Sequence, residues 1–193
     1  MPKINNKKFY SCAIERYGVS ARGLNWTSTK TQIIRFDVIL ECLPNILSEF
    51  TIADAGCGFG DFYKYLQDKK RSIKKYIGID SLNEMCLIAL QMTNQEIMLL
   101  DVCKESLPNV DYYVCSGALN ILTPFEAYQF IQNCYNSSNI GFIFNVLHGD
   151  KKSDTYNYMT TQKIEKLARD LNVKKLILRD GYLEHDITVG FMK

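Results

Sequence analysis

The stretch TIADAGCGFGD at residues 51–61 decides the predicted fold. A short apolar run, Ile52 and Ala53, reaches an acidic residue, Asp54, and a Gly-Cys-Gly-Phe-Gly turn follows it. The next segment, DFYKYL, has the apolar spacing of a helix. Glycines let the backbone approach a ligand closely, and a helix N-terminus offers unpaired N–H groups. The stretch therefore predicts a strand, a tight turn and a helix that together hold a small polar ligand.

Two kinds of ligand fit such a turn. A dinucleotide fingerprint requires G-x-G-x-x-G, whereas Gly56, Gly58 and Gly60 form G-x-G-x-G, and Asp61 stands where the third fingerprint glycine belongs. An acid there, with Asp54 before the first glycine, would repel a pyrophosphate. Acids on both sides of the turn suit a cation better, such as the sulfonium and ammonium groups of S-adenosylmethionine.

The segment at residues 54–60, D-A-G-C-G-F-G, resembles the first motif of the class I S-adenosylmethionine-dependent methyltransferases. The resemblance covers residues 31–193. It implies a Rossmann-like α/β fold, a three-layer αβα sandwich around a seven-stranded, mostly parallel sheet with an antiparallel last strand. It also implies S-adenosylmethionine as cofactor, S-adenosylhomocysteine as product, and a likeness to small stand-alone bacterial enzymes. A non-catalytic protein that binds the cofactor and an NAD-dependent oxidoreductase stay as alternatives.

Acidic residues end the next two predicted strands. Asp80 ends the run YIGID, at the place where folds of this kind put an acid against ribose hydroxyls, because a carboxylate accepts two hydrogen bonds from a diol. Asp101 lies near the end of the run IMLLDV at residues 97–102. The resemblance implies that Asp101 accepts a hydrogen bond from the adenine amino group and that the Val102 N–H meets a ring nitrogen.

In the family, the residues that leave the fourth strand face both cofactor and substrate; here they are SGALN at residues 116–120. They lack the Pro-Pro-aromatic signature of enzymes that methylate exocyclic amines of DNA bases. Arg35, on a helix placed beside the methionine end of the cofactor, is a candidate partner for the ligand carboxylate. The predicted cofactor-binding residues are Asp54, Gly56, Cys57, Gly58, Asp80, Ser81, Asp101, Val102, Ser116, Gly117 and Arg35.

Candidate residues for the acceptor come from three segments. His148 follows the fifth predicted strand at the carboxyl edge of the sheet, and histidine titrates near neutrality, so it is the candidate general base if the acceptor must lose a proton. Trp26, Asn120 and Tyr156 are candidate substrate-binding residues. Trp26 lies in residues 1–30, which we interpret as a lid over the site or as a plain N-terminal extension.

Length, charge and cysteine content indicate the number of domains, the kind of partner and the compartment. The 193 residues suit a single domain, 1–193. A net charge of +2 offers no strong field to nucleic acid or to an anionic membrane, so we expect a small-molecule acceptor, while a protein partner stays open. Seven cysteines without a C-x-x-C pair favour a reducing compartment and argue against zinc. With no apolar run of signal-peptide or membrane-spanning type, we expect a cytoplasmic protein without a metal.

Overall fold

One sheet with helices on both faces forms most of residues 4–193, the part of the chain that this computed structural model describes. The first three residues of the predicted N-terminal segment lie outside the described residues. The strands are β1 (Thr51–Ala55), β2 (Lys75–Asp80), β3 (Glu96–Leu99), β4 (Val110–Ser116), β5 (Ser138–His148), β6 (Tyr158–Met159), β7 (Lys175–Arg179) and β8 (Asp186–Met192). The helices are α1 (Asn6–Tyr17), α2 (Thr29–Cys42), α3 (Asp61–Asp68), α4 (Asn83–Thr93), α5 (Pro124–Ser137) and α6 (Thr161–Asp170), with 3₁₀ turns at Ala21–Leu24 and Ala118–Ile121.

The sheet has the order β3-β2-β1-β4-β5-β8-β7. The pairs among β1 to β5 are parallel, whereas β8 runs antiparallel to both of its neighbours, β5 and β7. The segment between β7 and β8 is too short for a parallel crossover, so the two strands form a hairpin. The prediction of a mostly parallel sheet with an antiparallel last strand is confirmed.

An eighth strand, β6, was not predicted. Its two residues, Tyr158 and Met159, pair with Leu147 and His148 at the end of β5. A two-residue strand inside a polar segment has no alternation that a sequence pattern could reveal. β6 therefore adds to the seven predicted strands without changing their order.

Alternating side chains of β5 show how helices come to cover both faces of the sheet. Phe142 and Phe144 belong to the core cluster that includes α5 and α6, whereas Ile143 packs with α2 and α3. Successive side chains of a strand point to opposite faces, and all three are fully buried. The apolar run GFIFNVLH is thus a strand buried on both faces, and the predicted three-layer αβα sandwich is confirmed.

The carboxyl ends of the parallel strands meet at one edge of the sheet. Ala55, Asp80, Ser116 and His148 are the last residues of β1, β2, β4 and β5, and open α/β sheets bind ligands at this edge. No helix within residues 4–193 combines the length and the apolar character needed to cross a membrane.

Candidate cofactor-binding site

The glycine turn after β1 has a backbone that side chains would disturb. Gly56, Gly58 and Gly60 have φ angles of 76°, 55° and 80°, in the left-handed region that favours glycine. A Cβ atom on Gly56 would lie 2.5 Å from the Cβ of Ala118. The Gly56 N–H donates to the carbonyl of Ile79 at 2.7 Å. The turn is thereby fastened to β2, and α3 begins directly after it.

Asp80 joins the end of β2 to this turn. Its Oδ2 accepts a hydrogen bond from the Gly58 N–H at 3.1 Å, and its Oδ1 accepts one from the Leu82 N–H at 3.0 Å. Burial raises the pKa of Asp80 to about 6, although the backbone donors oppose the shift. Each carboxylate oxygen keeps further acceptor capacity. Asp80 therefore lies where it can both hold the turn and receive ligand hydroxyls.

Two further carboxylates flank the turn. Asp54 is 4% exposed, and its Oδ2 accepts a hydrogen bond from Tyr76 Oη at 2.7 Å. Burial raises the pKa of Asp54 to about 7. Asp61, in the first turn of α3, accepts a hydrogen bond from Gln32 Nε2 at 2.9 Å. Both acids that the sequence analysis placed around the glycines are therefore at the site.

A cavity of about 150 Å³ lies over the turn at the carboxyl edge of the sheet. The charged residues in its described lining are Asp54, Asp61, Asp80 and Asp101, and that lining contains no lysine, arginine or histidine. Apolar and aromatic side chains form much of the remainder. The cavity is therefore lined by acidic residues in a protein whose net charge is +2, and Asp101 among them is paired with Lys104.

The N-terminal segment covers this cavity. Trp26 lies against Gly117, because a Cβ atom built on Gly117 would come within 2.8 Å of the Trp26 ring. Leu24 lies in the same way over Gly58, at 3.0 Å. Burial and the nearby charge of Asp80 raise the pKa of Tyr10. The N-terminal residues in the lining are Asn6, Phe9, Tyr10, Leu24, Asn25 and Trp26.

A scan against protein-family models and a search of curated proteins found no match. Solved structures do match. Magnesium protoporphyrin IX methyltransferase from Synechocystis, with bound S-adenosylhomocysteine, shares 15% identity over 85% of this chain and 83% of that chain, with a TM-score of 0.67. A chain in the complex between the Haloferax volcanii Trm112 methyltransferase activator and the putative methyltransferase shares 13% identity over 96% of both chains, with a TM-score of 0.71. A possible histamine N-methyltransferase from Thermotoga maritima shares 12% identity over 84% of this chain and 88% of that chain, with a TM-score of 0.63.

The chain has the class I methyltransferase fold. The likeness is one of architecture, since the identities are low. In this methyltransferase fold the predicted site residues can be placed one by one. Gly56, Cys57, Gly58 and Ser81 line the cavity together with the acids already described.

Asp101 lies beyond β3, which ends at Leu99, and not within a strand as predicted. Its Oδ1 accepts from the Cys103 N–H at 3.0 Å, and its Oδ2 accepts from Lys104 Nζ at 2.5 Å. These bonds make Asp101 the cap of a turn. Val102 also lines the cavity, and within residues 4–193 no group accepts a hydrogen bond from its N–H. As far as residues 4–193 are concerned, the Val102 N–H is thus free to donate a hydrogen bond to a ligand.

Arg35 is not where the sequence analysis expected it. It is absent from the described cavity lining, it forms an ion pair with the buried Asp186, and its guanidinium carbon lies 4.7 Å from the centre of the Trp26 ring. Asp186 is far away in sequence, so no local pattern shows this pairing. The Asp186 carboxylate pairs with Nη2 of the guanidinium, whereas the buried Nε has no hydrogen-bond partner within residues 4–193. The structure thus places Arg35 behind Trp26 and outside the described lining, and its assignment to a ligand carboxylate stays a prediction.

His148 is also displaced from its predicted role. Its Nε2 lies 3.0 Å from Thr161 Oγ1 at the start of α6, and the described cavity lining does not include it. The residue does end β5 at the carboxyl edge, as predicted. Its imidazole nevertheless contacts the helix that follows, and not the cavity, so the structure offers no support for a general base here.

The predicted substrate-side residues lie together. Asn120 and Tyr156 both line the cavity, as does Trp26. The Asn120 side chain is partly engaged, because its Oδ1 accepts from the Leu147 N–H at 3.0 Å. Tyr156 is 39% exposed. These positions agree with the prediction, and their contacts with an acceptor stay predictions.

Sequence reasoning missed a buried polar network behind Ser116. Ser116 Oγ donates to Asn145 Oδ1 at 2.7 Å, and Asn145 Nδ2 donates to Thr188 Oγ1 at 2.6 Å. Tyr182 Oη lies 2.9 Å from Thr188 Oγ1 and donates to Asp186 Oδ1 at 3.2 Å. The single asparagine within the apolar run GFIFNVLH was the available signal, since a buried amide requires partners.

Proposed function

We propose that this protein is an S-adenosylmethionine-dependent methyltransferase that acts on a small-molecule acceptor. The observation that carries the proposal is the charge of the cavity. Four aspartates and no basic side chain line it within the described residues. Such a lining favours a ligand with a sulfonium and an ammonium group and opposes the pyrophosphate of NAD. An oxidoreductase is accordingly disfavoured.

The shape of the glycine turn supports the same proposal. Gly56 and Gly58 both line the cavity, and without a side chain at either position a ligand can approach the backbone closely. Asp80 would accept hydrogen bonds from the ribose hydroxyls. Asp101 would accept from the adenine amino group, and the unpartnered Val102 N–H would donate to a ring nitrogen.

When bound, the cofactor supplies an activated methyl group, and the protein positions it against the acceptor and excludes water. The glycine turn and Asp80 would hold the donor. Trp26, Asn120 and Tyr156 would orient the acceptor on the other side. The covering N-terminal segment would close the site, which is the lid function that we propose for residues 1–30.

A small acceptor is favoured over nucleic acid. The cavity is covered by the N-terminal segment, and its charged groups are carboxylates that would repel a phosphate backbone. A protein that binds the cofactor without turnover would have the same site. Formation of S-adenosylhomocysteine with an added acceptor distinguishes the enzyme from such a binding protein.

The test is calorimetric titration of the purified protein with S-adenosylhomocysteine and, separately, with NAD. We expect saturable binding of S-adenosylhomocysteine at micromolar concentration and none of NAD. The Asp170→Asn variant should bind as the wild type does, because Asp170 forms an exposed ion pair with Lys166 on α6, outside the cavity. Binding of NAD alone would overturn the proposal.

A further inference from the structure

The acceptor side of the cavity has aromatic walls. Trp26, Tyr10 and Phe9 from the N-terminal segment line it together with Tyr156. Trp26 is held against Gly117, directly after β4. The faces of aromatic rings attract cations, and they do so more strongly where water is excluded. The chemistry of these walls therefore favours an acceptor that enters neutral and acquires positive charge in the site.

The charged groups in the described cavity lining are aspartates, and one of them, Asp101, is paired with Lys104. The nearest guanidinium to Trp26 belongs to Arg35, and Asp186 neutralises it. The described lining otherwise contributes only aspartates as charged groups. Burial raises the pKa of Asp54 to about 7 and that of Asp80 to about 6, so both are ionised in mildly alkaline solution. An anionic acceptor would enter this field at a large energetic disadvantage.

Charge conservation during transfer separates the classes of acceptor. When a neutral amine attacks, its nitrogen lone pair forms the bond to the methyl carbon while the carbon–sulfur bond breaks and its electron pair stays on sulfur. The positive charge then moves from the sulfonium to the methylated nitrogen and remains in the cavity. When a carboxylate or phenolate attacks, the two opposite charges cancel, and the surrounding aspartates lose the cation that they stabilised.

An amine also makes the smallest demand on the residues present. Its lone pair is available once the free amine has formed in solution, and the product ammonium keeps its protons. An alcohol must lose a proton during transfer and requires a general base. His148, the histidine predicted for that role, contacts Thr161 and not the cavity.

We propose that the acceptor is a small organic amine, methylated on nitrogen, whose product cation is stabilised by the aromatic walls and by the aspartates of the cavity. The inference rests on the proposed methyltransferase function and deepens it, because it assigns a class of acceptor to the same site.

The test compares acceptors that share a skeleton and differ in the functional group. One set is benzylamine, benzyl alcohol and benzoate; the others are tryptamine, tryptophol and indoleacetate, and tyramine, tyrosol and hydroxyphenylacetate. The readout is S-adenosylhomocysteine formation together with transfer of isotope-labelled methyl to the acceptor. We expect the amine to be methylated fastest within each set that reacts, by about tenfold or more over the anion.

A charge variant makes the comparison independent of acceptor shape. Tyr156→Arg places a cation at the cavity, and Phe125→Arg places one on a residue that is 69% exposed and outside the described lining. Loss of the Tyr156 ring affects every acceptor, so we expect Tyr156→Arg to lower the preference for the amine over the anion of the same set about tenfold and Phe125→Arg to leave that preference unchanged. Equal loss in both variants would contradict the electrostatic argument.

The outcomes separate the two proposals. If S-adenosylhomocysteine binds and an alcohol or carboxylate is the preferred acceptor, only the amine assignment is overturned. Binding without methylation of any of these amines also counts against it. Failure of S-adenosylhomocysteine to bind overturns the proposed function, and the amine assignment with it.

Discussion

The guanidinium carbon of Arg35 lies 4.7 Å from the centre of the Trp26 ring. This contact joins α2, a helix of the core, to the segment that covers the cavity. Arg35 is in turn fixed by its ion pair with Asp186 at the start of β8. The covering segment is therefore tied to the sheet through one arginine, and the stability of this connection can be measured.

Replacement of Arg35 by methionine should loosen Trp26 and destabilise the fold. Asp186, with a side chain only 1% exposed, would be left buried without its cation, which costs about 3 kcal/mol in comparable cases. Urea unfolding measures that loss. The double variant Arg35→Met/Asp186→Asn should recover part of that loss. A loss of unfolding free energy in the double variant that equals or exceeds the sum of the two single losses would contradict the pairing.

The single tryptophan of the chain reports on the cavity. We expect S-adenosylhomocysteine to change Trp26 emission and to reduce its quenching by acrylamide, because ligand and ring share the cavity. In Arg35→Met the quenching of the free protein should rise. Emission that does not respond to a ligand proven to bind by calorimetry would place Trp26 away from the ligand.

Gly117→Ala should displace Trp26 specifically. A Cβ atom there would lie 2.8 Å from the ring, and the φ angle of 92° adds strain. Gly181→Ala is the matched control, since its φ is 76° and nothing lies within 4 Å of the added atom. Backbone strain costs each variant about 1–3 kcal/mol, and only Gly117→Ala should also weaken ligand binding. Equal effects on binding would show that the ring is not clamped by Gly117.

Asp80→Asn should weaken binding of S-adenosylhomocysteine about tenfold or more, because hydrogen bonds to a charged acceptor contribute about 1.5–3 kcal/mol. The amide oxygen can still accept from the Gly58 N–H, which keeps the turn joined to β2, while the bond from the Leu82 N–H is lost. Calorimetry against the Asp170→Asn control gives the difference. Unchanged affinity would remove Asp80 from the ribose assignment.

Asp54 should make stability depend on pH with a defined sign. Burial raises its pKa from 3.8 to about 7, so the native state binds the proton more tightly than the unfolded state, and stability falls as pH rises from about 4 to about 7. Asp54→Asn should reduce this slope, with the contribution of Asp80 remaining. Near pH 8 the variant should be more stable than the wild type by roughly 4 kcal/mol, since each pKa unit corresponds to about 1.4 kcal/mol. The amide oxygen can keep the Tyr76 hydrogen bond. A slope of unchanged size in the variant would assign the pH dependence to groups other than Asp54.

His148→Gln should leave kcat within about twofold of the wild type once an acceptor is known, since a general base contributes about a hundredfold or more. The glutamine amide can replace the contact with Thr161 Oγ1. A loss of a hundredfold with an unchanged melting temperature would restore His148 as the general base.

The sequence by itself determined the features that depend on neighbouring residues. The glycine turn after Asp54 follows from local conformational preference, the acid at Asp80 from its place at a strand end, and the C-terminal hairpin from a connection too short for a crossover. These features predicted the fold that the structure shows, and the glycine turn and Asp80 lie at the cavity. They can be predicted from the sequence because the residues that cause them lie close together in the chain.

Only the tertiary structure decided which side chains face the cavity. Arg35 and Asp186 are 151 positions apart in sequence, and Ser116 and Asn145 are 29 apart, so no local pattern records that they meet. His148 lies at the predicted edge, yet its ring contacts α6, while Trp26 reaches the cavity from a segment with weak pattern. The position of a residue in its strand determines the edge of the sheet at which it lies. The packing of elements distant in sequence determines which group its side chain contacts.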